Sequence, residues 1–461
     1  MRLNITRLMH GMLPLAVLLL SACGGNHSYT IGGTVTGLAS SPGPLSTPLV
    51  LQNNGGDNLT ISANGAFTFA TAVKSNSTTK ATYNVTILTQ PFPQTCTVTG
   101  GSGTASSNVT SVVVSCSSSS TSAYVVNKSG TVSQYPIGAN GALPTTAASS
   151  VATGTNPYSI AVVPSGLYAY VANNGSNNVS EYTISSGVLT LNTSTANSTG
   201  TVNAGLNPVS VTVDPTGQHV YVVNAGNGII PSTISQYTIN SDGTLTALGL
   251  PAQTGNTPNS IAVDPSGTYA YVANYGDGTI SEYTINAGAL TLPATLPAPV
   301  SGNNNPASIT VDPSGRYAYV ANYGDGTVSQ YTIGTPSSLT PGALAPMSPP
   351  TVLAGSNPIS VTVAPSGSHV YVANYSSGAS AGTVSEYSIG TGGALATIGT
   401  VGTGKNPSSV TVDPSGQYAY VANLGDGTVS QYTISSGVLS ANTTAATVTV
   451  GGQPISVITA R

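Results

Sequence analysis

One sequence unit is written seven times along this chain. Its core is Asn-Pro-x-Ser-Val-x-Val-Asp-Pro-Ser-Gly, then Tyr-Val-Ala-Asn, then Ser-Glu/Gln-Tyr-x-Ile. The tyrosine that opens each Tyr-Val-x-Asn stands at Tyr124, Tyr170, Tyr221, Tyr271, Tyr319, Tyr371 and Tyr420, and neighbouring copies are 46 to 52 residues apart. A fixed period of this size means that one supersecondary unit stacks on copies of itself. The repeat therefore constrains the fold more tightly than any single residue can.

Each copy predicts four short strands. In the last copy Ser409-Val410-Thr411-Val412 alternates as a strand, and Asp413-Pro414-Ser415-Gly416 has the Pro and Gly of a type I turn. Gln417–Asn423 reads as a second strand, Gly425-Asp426-Gly427 as a hairpin turn and Thr428–Ile434 as a third strand, with a looser fourth over Ala446–Val450. Four antiparallel strands without a helix signal make a propeller blade. The first copy, at Tyr124, has no Asn-Pro strand before it; the missing piece is Gln453-Pro454-Ile455-Ser456-Val457 at the far end of the chain. The predicted fold class is all-β: a seven-bladed β-propeller over 123–461, closed by a C-terminal strand at 453–459 so that no sheet edge is left open.

Residues 29–117 do not share the repeat. Six β runs are predicted there, over Tyr29–Leu38, Pro48–Asn54, Asn58–Ala70, Tyr83–Thr89, Thr95–Thr99 and Val109–Cys116. Leu59 and Ile61, with Phe67 and Phe69 beyond an Asn64-Gly65 turn, alternate as a half-buried hairpin does. Strands at this density predict a small β-sandwich. Residues 118–122, rich in serine, read as a flexible linker. The overall pattern of 29–117 resembles the immunoglobulin-like modules that bacterial envelope proteins carry near their anchors.

The N-terminus reads as an export signal over 1–22. Arg2 and Arg7 supply a positive start, Met12 to Leu20 an apolar run too short to span a membrane, and Ser21-Ala22 small residues before a cut. Leu20-Ser21-Ala22-Cys23 resembles the lipobox of bacterial lipoproteins, which implies acylation of Cys23 and a short anchor segment, 23–28. Gly24 stands where such proteins often carry an inner-membrane retention Asp, so the resemblance implies the outer membrane or cell surface. In that oxidising compartment Cys96 and Cys116 are expected to form a disulfide, whose loop is worth about 3 kcal/mol by chain entropy.

Composition excludes one class of partner. Only 4% of residues are charged, and eight Lys plus Arg against a net charge of −4 leave no basic surface to track phosphates. Nucleic acid is not expected.

Asn406 to Asn423, with Val429-Ser430-Gln431-Tyr432-Thr433-Ile434 and Gly437-Val438-Leu439, resembles the seven-bladed lactonase-like propellers. These include the YVTN surface-protein repeats and the propeller-type 6-phosphogluconolactonases. The resemblance covers the whole repeat and implies the fold. Lactonase activity, as a carboxylic ester hydrolase, is what it implies for function. The matching motifs themselves are turns and strands.

A lactonase needs a base beside cationic or N–H donors. His219 and His369 stand where other copies have Tyr168, Tyr269, Tyr317 and Tyr418, so a strand position accounts for them; with Arg316 they are the candidate catalytic residues. Asp214, Asp264, Asp312 and Asp413 open turns and are read as bonding their own backbone. Asp277, Asp325 and Asp426 lie between glycines and lack the spacing of a calcium loop, so neither metal nor cofactor is expected. Gln134, Glu181, Gln236, Glu282, Gln330, Glu386 and Gln431 share one position on the third strands and are read as a solvated face.

The start of the innermost strand faces the channel of a propeller. The repeat places Ser159, Ser210, Ser260, Ser308, Ser360, Ser409 and Ser456 there, preceded by Asn156, Asn207, Asn305, Asn357 and Asn406. The expected binding site is this channel mouth, a ring of hydroxyls and amides with Lys405, Arg316 and Arg461 as the nearby cations. Such a ring hydrogen-bonds polar groups and supplies no general base. The expected function is a lipid-anchored envelope platform that binds a protein, glycan or polar small molecule. A lactonase and a structural surface coat are the alternatives.

Overall fold

The computed structural model describes residues 26–38, 48–89, 91, 94–118, 121–138, 140–193, 198–292, 300–301, 304–376 and 380–460. The expected signal segment, Cys23 and Arg461 lie outside the described residues, as do 119–120 of the expected linker. The chain divides into two compact units, the first ending at Ser118 and the second beginning at Ser119.

In the first unit two four-stranded sheets share one core. One sheet runs in the order Gly65–Thr68, Ile31–Thr36, Val109–Ser118, Gln94–Thr99, and the other Asp57–Ile61, Leu49–Asn53, Ala81–Thr89, Ser102–Ala105. Ile31, Leu49, Leu51, Val85, Val112 and Val114 from both sheets are buried together. The expected hairpin over 58–70 does not form. Asp57–Ile61 pairs with Leu49–Asn53, whereas Gly65–Thr68 pairs with Ile31–Thr36 in the other sheet. The turn at Asn64 is a crossover, held by Asn64 bonding both the N–H and the C=O of Leu38. Ile61 and Phe67 thus enter the same core from opposite sides, and Phe67 meets Phe69 edge to face at 5.9 Å. Cys96 and Cys116 stand directly opposite each other on neighbouring antiparallel strands and are bonded.

The second unit is a ring of seven sheets. Blade 1 takes its inner strand, Pro454–Ala460, from the chain's end and its next three, Ser122–Asn127, Thr131–Pro136 and Ser149–Ala152, from the start of the repeat. Blades 2 to 7 begin at Pro157, Pro208, Pro258, Pro306, Pro358 and Pro407 and run outward in chain order. In blade 7 two short strands, Val438–Ala441 and Thr447–Thr449, both pair with Thr428–Ser435, so the fourth strand expected over Ala446–Val450 is the second half of a split edge.

The repeated letters each have a local physical task. In the Asp-Pro-Ser/Thr-Gly turns the aspartate accepts backbone N–H groups four and five residues on, as Asp413 does from Gln417 and Tyr418 at 3.0 and 2.8 Å. The asparagine of Tyr-Val-x-Asn is buried, and its Nδ2 donates to a Ser of the third strand and to the Thr that opens that strand, or to Asn178 in blade 2. For Asn423 these are Thr428 and Ser430, at 3.0 and 2.9 Å. The buried Nδ2 groups are satisfied in this way, whereas Oδ1 of Asn127, Asn224 and Asn423 is buried without a hydrogen-bond partner among the described residues.

Two further letters reach across to the next blade. Each Tyr-Val-x-Asn tyrosine donates its hydroxyl to a glycine carbonyl of the following blade at 2.6 to 3.1 Å: Tyr124 to Gly187, Tyr170 to Gly243, Tyr221 to Gly288, Tyr271 to Gly342, Tyr319 to Gly393, Tyr371 to Gly437 and Tyr420 to Gly141. Beside each, a Gln or Glu accepts the N–H of a leucine in the same neighbour at 2.6 to 2.9 Å. Gln134 takes Leu189, Glu181 Leu245, Gln236 Leu290, Glu282 Leu344, Gln330 Leu395, Glu386 Leu439 and Gln431 Leu143. The solvated face expected at these seven positions is therefore wrong. They are 0 to 7% exposed, because the third strand of one blade is covered by the outer hairpin of the next.

Two measurements test this frame. Gln330→Leu leaves the buried Leu395 N–H without its acceptor and is expected to cost about 1–3 kcal/mol in urea unfolding; an unchanged midpoint with unchanged slope would show the bond to be idle. Thr257 has φ 47°, at the position where five other blades place asparagines with φ from 48° to 56°. A β-branched residue is strained there, so Thr257→Asn is expected to stabilise by about 1 kcal/mol, and a loss of stability would contradict it.

Candidate functional site

The inner strands converge on a cavity of about 550 Å³ at the end of the channel where they begin. Ser159, Ser210, Ser260, Ser308, Ser360, Ser409 and Ser456 all stand on its wall, half-buried. They also join blades. The N–H groups of Val211, Ile309, Val361, Val410 and Val457 donate to Ser159, Ser260, Ser308, Ser360 and Ser409 at 3.1 to 3.3 Å. A serine that accepts in this way keeps its own O–H as a donor.

The five asparagines are not on the wall. Asn156, Asn207, Asn305, Asn357 and Asn406 take left-handed backbone conformations that turn the chain into the inner strand, and their amides anchor neighbouring loops. Asn305 and Asn357 bond the carbonyls of Tyr275 and Tyr323 at 3.0 and 3.2 Å, and Asn406 bonds the Tyr375 hydroxyl at 2.6 Å. Their role is to position what does face the cavity.

What faces it is a column that varies from blade to blade. The residue after each Tyr-Val-x-Asn is Lys128, Asn174, Ala225, Tyr275, Tyr323, Tyr375 or Leu424. Five of these line the cavity: Lys128, the three tyrosines and Leu424. Tyr275, Tyr323 and Tyr375 come from consecutive blades and form an arc, with ring centroids 6.0 and 6.3 Å apart and planes tilted by 58° and 45°. Lys128 lies elsewhere on the wall with its Nζ 5.2 Å from the ring centre of Tyr158, near enough for a cation–π contact. Burial, and then the neighbouring Tyr375, raise the Tyr158 phenol; burial, then Tyr275 and Tyr375, raise that of Tyr323, so both stay neutral donors.

Asp, Glu, His and Cys are absent from the described lining, and Lys128 is its one charged side chain. Sequence reasoning missed Lys128 and the arc because they depart from the repeat. Aligning that single column across the seven copies would have found them.

The expected catalytic residues are elsewhere. His219, Arg316 and His369 begin second strands or the turn before them, at the end of the blade opposite the cavity, and on three different blades. His219 Nδ1 lies 3.1 Å from Asp214 Oδ2, and its ring packs on Gly288, where a Cβ would overlap it. Burial alone would raise the Asp214 carboxyl, but bonds from Thr216, His219 and Gln218 outweigh it and hold it below the usual range. His369 packs on Gly437 in the same way, and burial lowers its pKa. Tyr168, Tyr269, Tyr317 and Tyr418 cover Gly243, Gly342, Gly393 and Gly141 identically, so both histidines fill a packing position. Arg316 donates from Nε to Ser314 and stacks on Tyr317. Lys405 is also off the cavity wall, its N–H bonded to Asp426. Among the described residues no three His, Cys, Asp or Glu side chains cluster as a metal site would require.

The family described as lactonase, 7-bladed beta-propeller, matches residues 183–296 and 337–455, together just over half of the chain. Among solved structures, a candidate 6-phosphogluconolactonase from Bacteroides uniformis is 18% identical with a TM-score of 0.61, covering 74% of this chain and 100% of its own. The periplasmic gluconolactonase of Pseudomonas aeruginosa is 15% identical with a TM-score of 0.59, covering 74% and 99%. A protein of unknown function from Desulfotomaculum acetoxidans is 16% identical with a TM-score of 0.57, covering 73% and 99%. At these identities the likeness is one of fold. No curated protein sequence matches the chain. A sevenfold ring with this repeat and this match belongs to the lactonase family of seven-bladed β-propellers.

Proposed function

We propose that this propeller binds, without hydrolysing, a polyhydroxylated ligand that carries an anionic group, at the channel mouth of a lipid-anchored envelope protein. One observation carries the reading: a cavity walled by serine hydroxyls combines an arc of three tyrosines with a single lysine that no lining carboxylate neutralises. Aromatic faces take the apolar side of a sugar ring, and serine hydroxyls and the Asn259 amide meet its hydroxyls. Lys128 favours a carboxylate or phosphate on the same molecule. The cavity volume of about 550 Å³ suits one or two sugar units. The anchoring part rests on the lipobox-like run ending at Cys23.

Membership of a lactonase family favours a second reading, hydrolysis of a sugar lactone. The described wall lacks a group to activate water, and the nearest Asp–His pair packs at the other end of a blade.

Calorimetry with a hexuronate and its neutral hexose counterpart separates these readings. The uronate is expected to bind about tenfold more tightly, a difference of about 1.4 kcal/mol. Lys128→Met removes that difference, and Tyr323→Ala weakens both sugars. Equal affinities, or lactone turnover well above the spontaneous rate, would overturn the proposal.

A further inference from the structure

The residue before each inner-strand proline is asparagine in five blades, Gln453 in blade 1 and Thr257 in blade 4. Of these seven, Thr257 is the one that stands on the described cavity wall. Its backbone makes the same left-handed turn, with φ 47°, a conformation that strains a β-branched residue. Asparagine serves at five equivalent places, so local stability does not account for the threonine.

The neighbouring blade has released this position from its usual work. Asn305 and Asn357 hold the backbone carbonyl of the residue after Tyr-Val-x-Asn in the blade before them. In blade 3 that carbonyl belongs to Ala225, and Ser232 holds it instead, donating at 2.8 Å. The same Ser232 oxygen accepts the Thr257 N–H at 3.3 Å, and Ser232 is buried. Ser232 stands where five copies have glycine and one has Asn177. Two departures from the repeat are thus in contact and complementary. Ser232 does the anchoring, and the side chain of Thr257 is left free of it.

The surroundings of Thr257 show what that freedom serves. Its carbonyl accepts the Tyr275 N–H at 3.1 Å, which fixes it beside the first ring of the tyrosine arc. Its Oγ1 would lie 2.7 Å from a Cβ on Gly276, so the glycine leaves the room that the hydroxyl occupies. Thr257 is exposed, and Oγ1 has no hydrogen-bond partner among the described residues. Two positions on, Asn259 also lines the wall. Its Nδ2 donates to the Ala307 carbonyl at 2.8 Å, which leaves Oδ1 to accept. At that position the other blades carry Tyr158, Val209, Ala307, Ile359, Ser408 and Ile455, and the Ser408 hydroxyl is engaged by the carbonyls of Ala422 and Pro454. Blade 4 therefore offers a hydroxyl donor and an amide acceptor together. Lys128 belongs to blade 1, three blades away, so it and Thr257 meet different parts of one ligand.

We propose that Thr257 is a ligand-binding residue of the channel mouth, whose Oγ1 hydrogen-bonds a ligand hydroxyl beside Tyr275 and Asn259. The chain accepts a strained turn at this one blade in exchange for that contact. The inference rests on the polyhydroxylated ligand proposed above and adds the residue that reads one of its hydroxyls.

Calorimetry with glucuronate tests it on the full chain carrying Thr257→Val, Thr257→Ser or Thr257→Asn. Valine keeps the branched shape and removes the hydroxyl, so affinity is expected to fall about three- to tenfold while the urea midpoint stays at the wild-type value. Serine keeps the hydroxyl and is expected to bind within about twofold of the wild type. Asparagine, which five blades accommodate at this turn, is expected to unfold at higher urea yet to bind about as weakly as valine. Valine or asparagine binding as tightly as the wild type, or serine binding as weakly as valine, would overturn the inference and leave the ligand reading standing. A wild type that does not bind glucuronate at all would overturn both.

Discussion

The side chains that reach from one blade to the backbone of the next set the terms for the rest of the propeller. A tyrosine hydroxyl and a Gln or Glu oxygen cross each of the seven boundaries, and a serine adds a third bond at five of them. Each such bond is worth only about 1 kcal/mol net, yet removing one partner strands a buried group at greater cost. The boundary between blades 7 and 1 is made like the others. Tyr420 bonds Gly141, Gln431 bonds Leu143 and Ser409 bonds Val457, so the ring closes with the same chemistry that builds it.

That frame decides where function can sit. A position that must reach across a boundary is not free to vary, which occupies the repeated Tyr and Gln/Glu letters, while the Asn of Tyr-Val-x-Asn and the turn Asp are occupied by bonds within their own blade. The column after Tyr-Val-x-Asn touches no such bond through its side chain in most blades. There the chain places Lys, Asn, Ala, three tyrosines and Leu, and five of them meet at the channel. The molecule thus separates an invariant scaffold from a variable rim. The asparagines before the inner strands link the two, since Asn305, Asn357 and Asn406 hold the tyrosine arc.

Much of the fold was legible because blade architecture is written in local signals: alternating β-branched residues, Asp-Pro-Ser-Gly turns and a period near fifty. The channel-facing serines were legible for the same reason. Three things were not. The Gln/Glu position looks solvent-facing on a single strand, and only the neighbouring hairpin buries it. Leu59, Ile61, Phe67 and Phe69 alternate like a hairpin, but alternation fixes only the face a side chain takes and says nothing about which strand it pairs with. Lys128 and the tyrosines were hidden by being exceptions to the repeat, since a reading built on recurrence attends to what recurs.

If the boundary bonds bind seven blades into one cooperative ring, the amides of Leu143, Leu189, Leu245, Leu290, Leu344, Leu395 and Leu439 report on it directly. Hydrogen exchange measures the opening free energy at each. Seven values that agree with one another and with global unfolding are the expected result. Amides that open blade by blade, well below the global value, would contradict it.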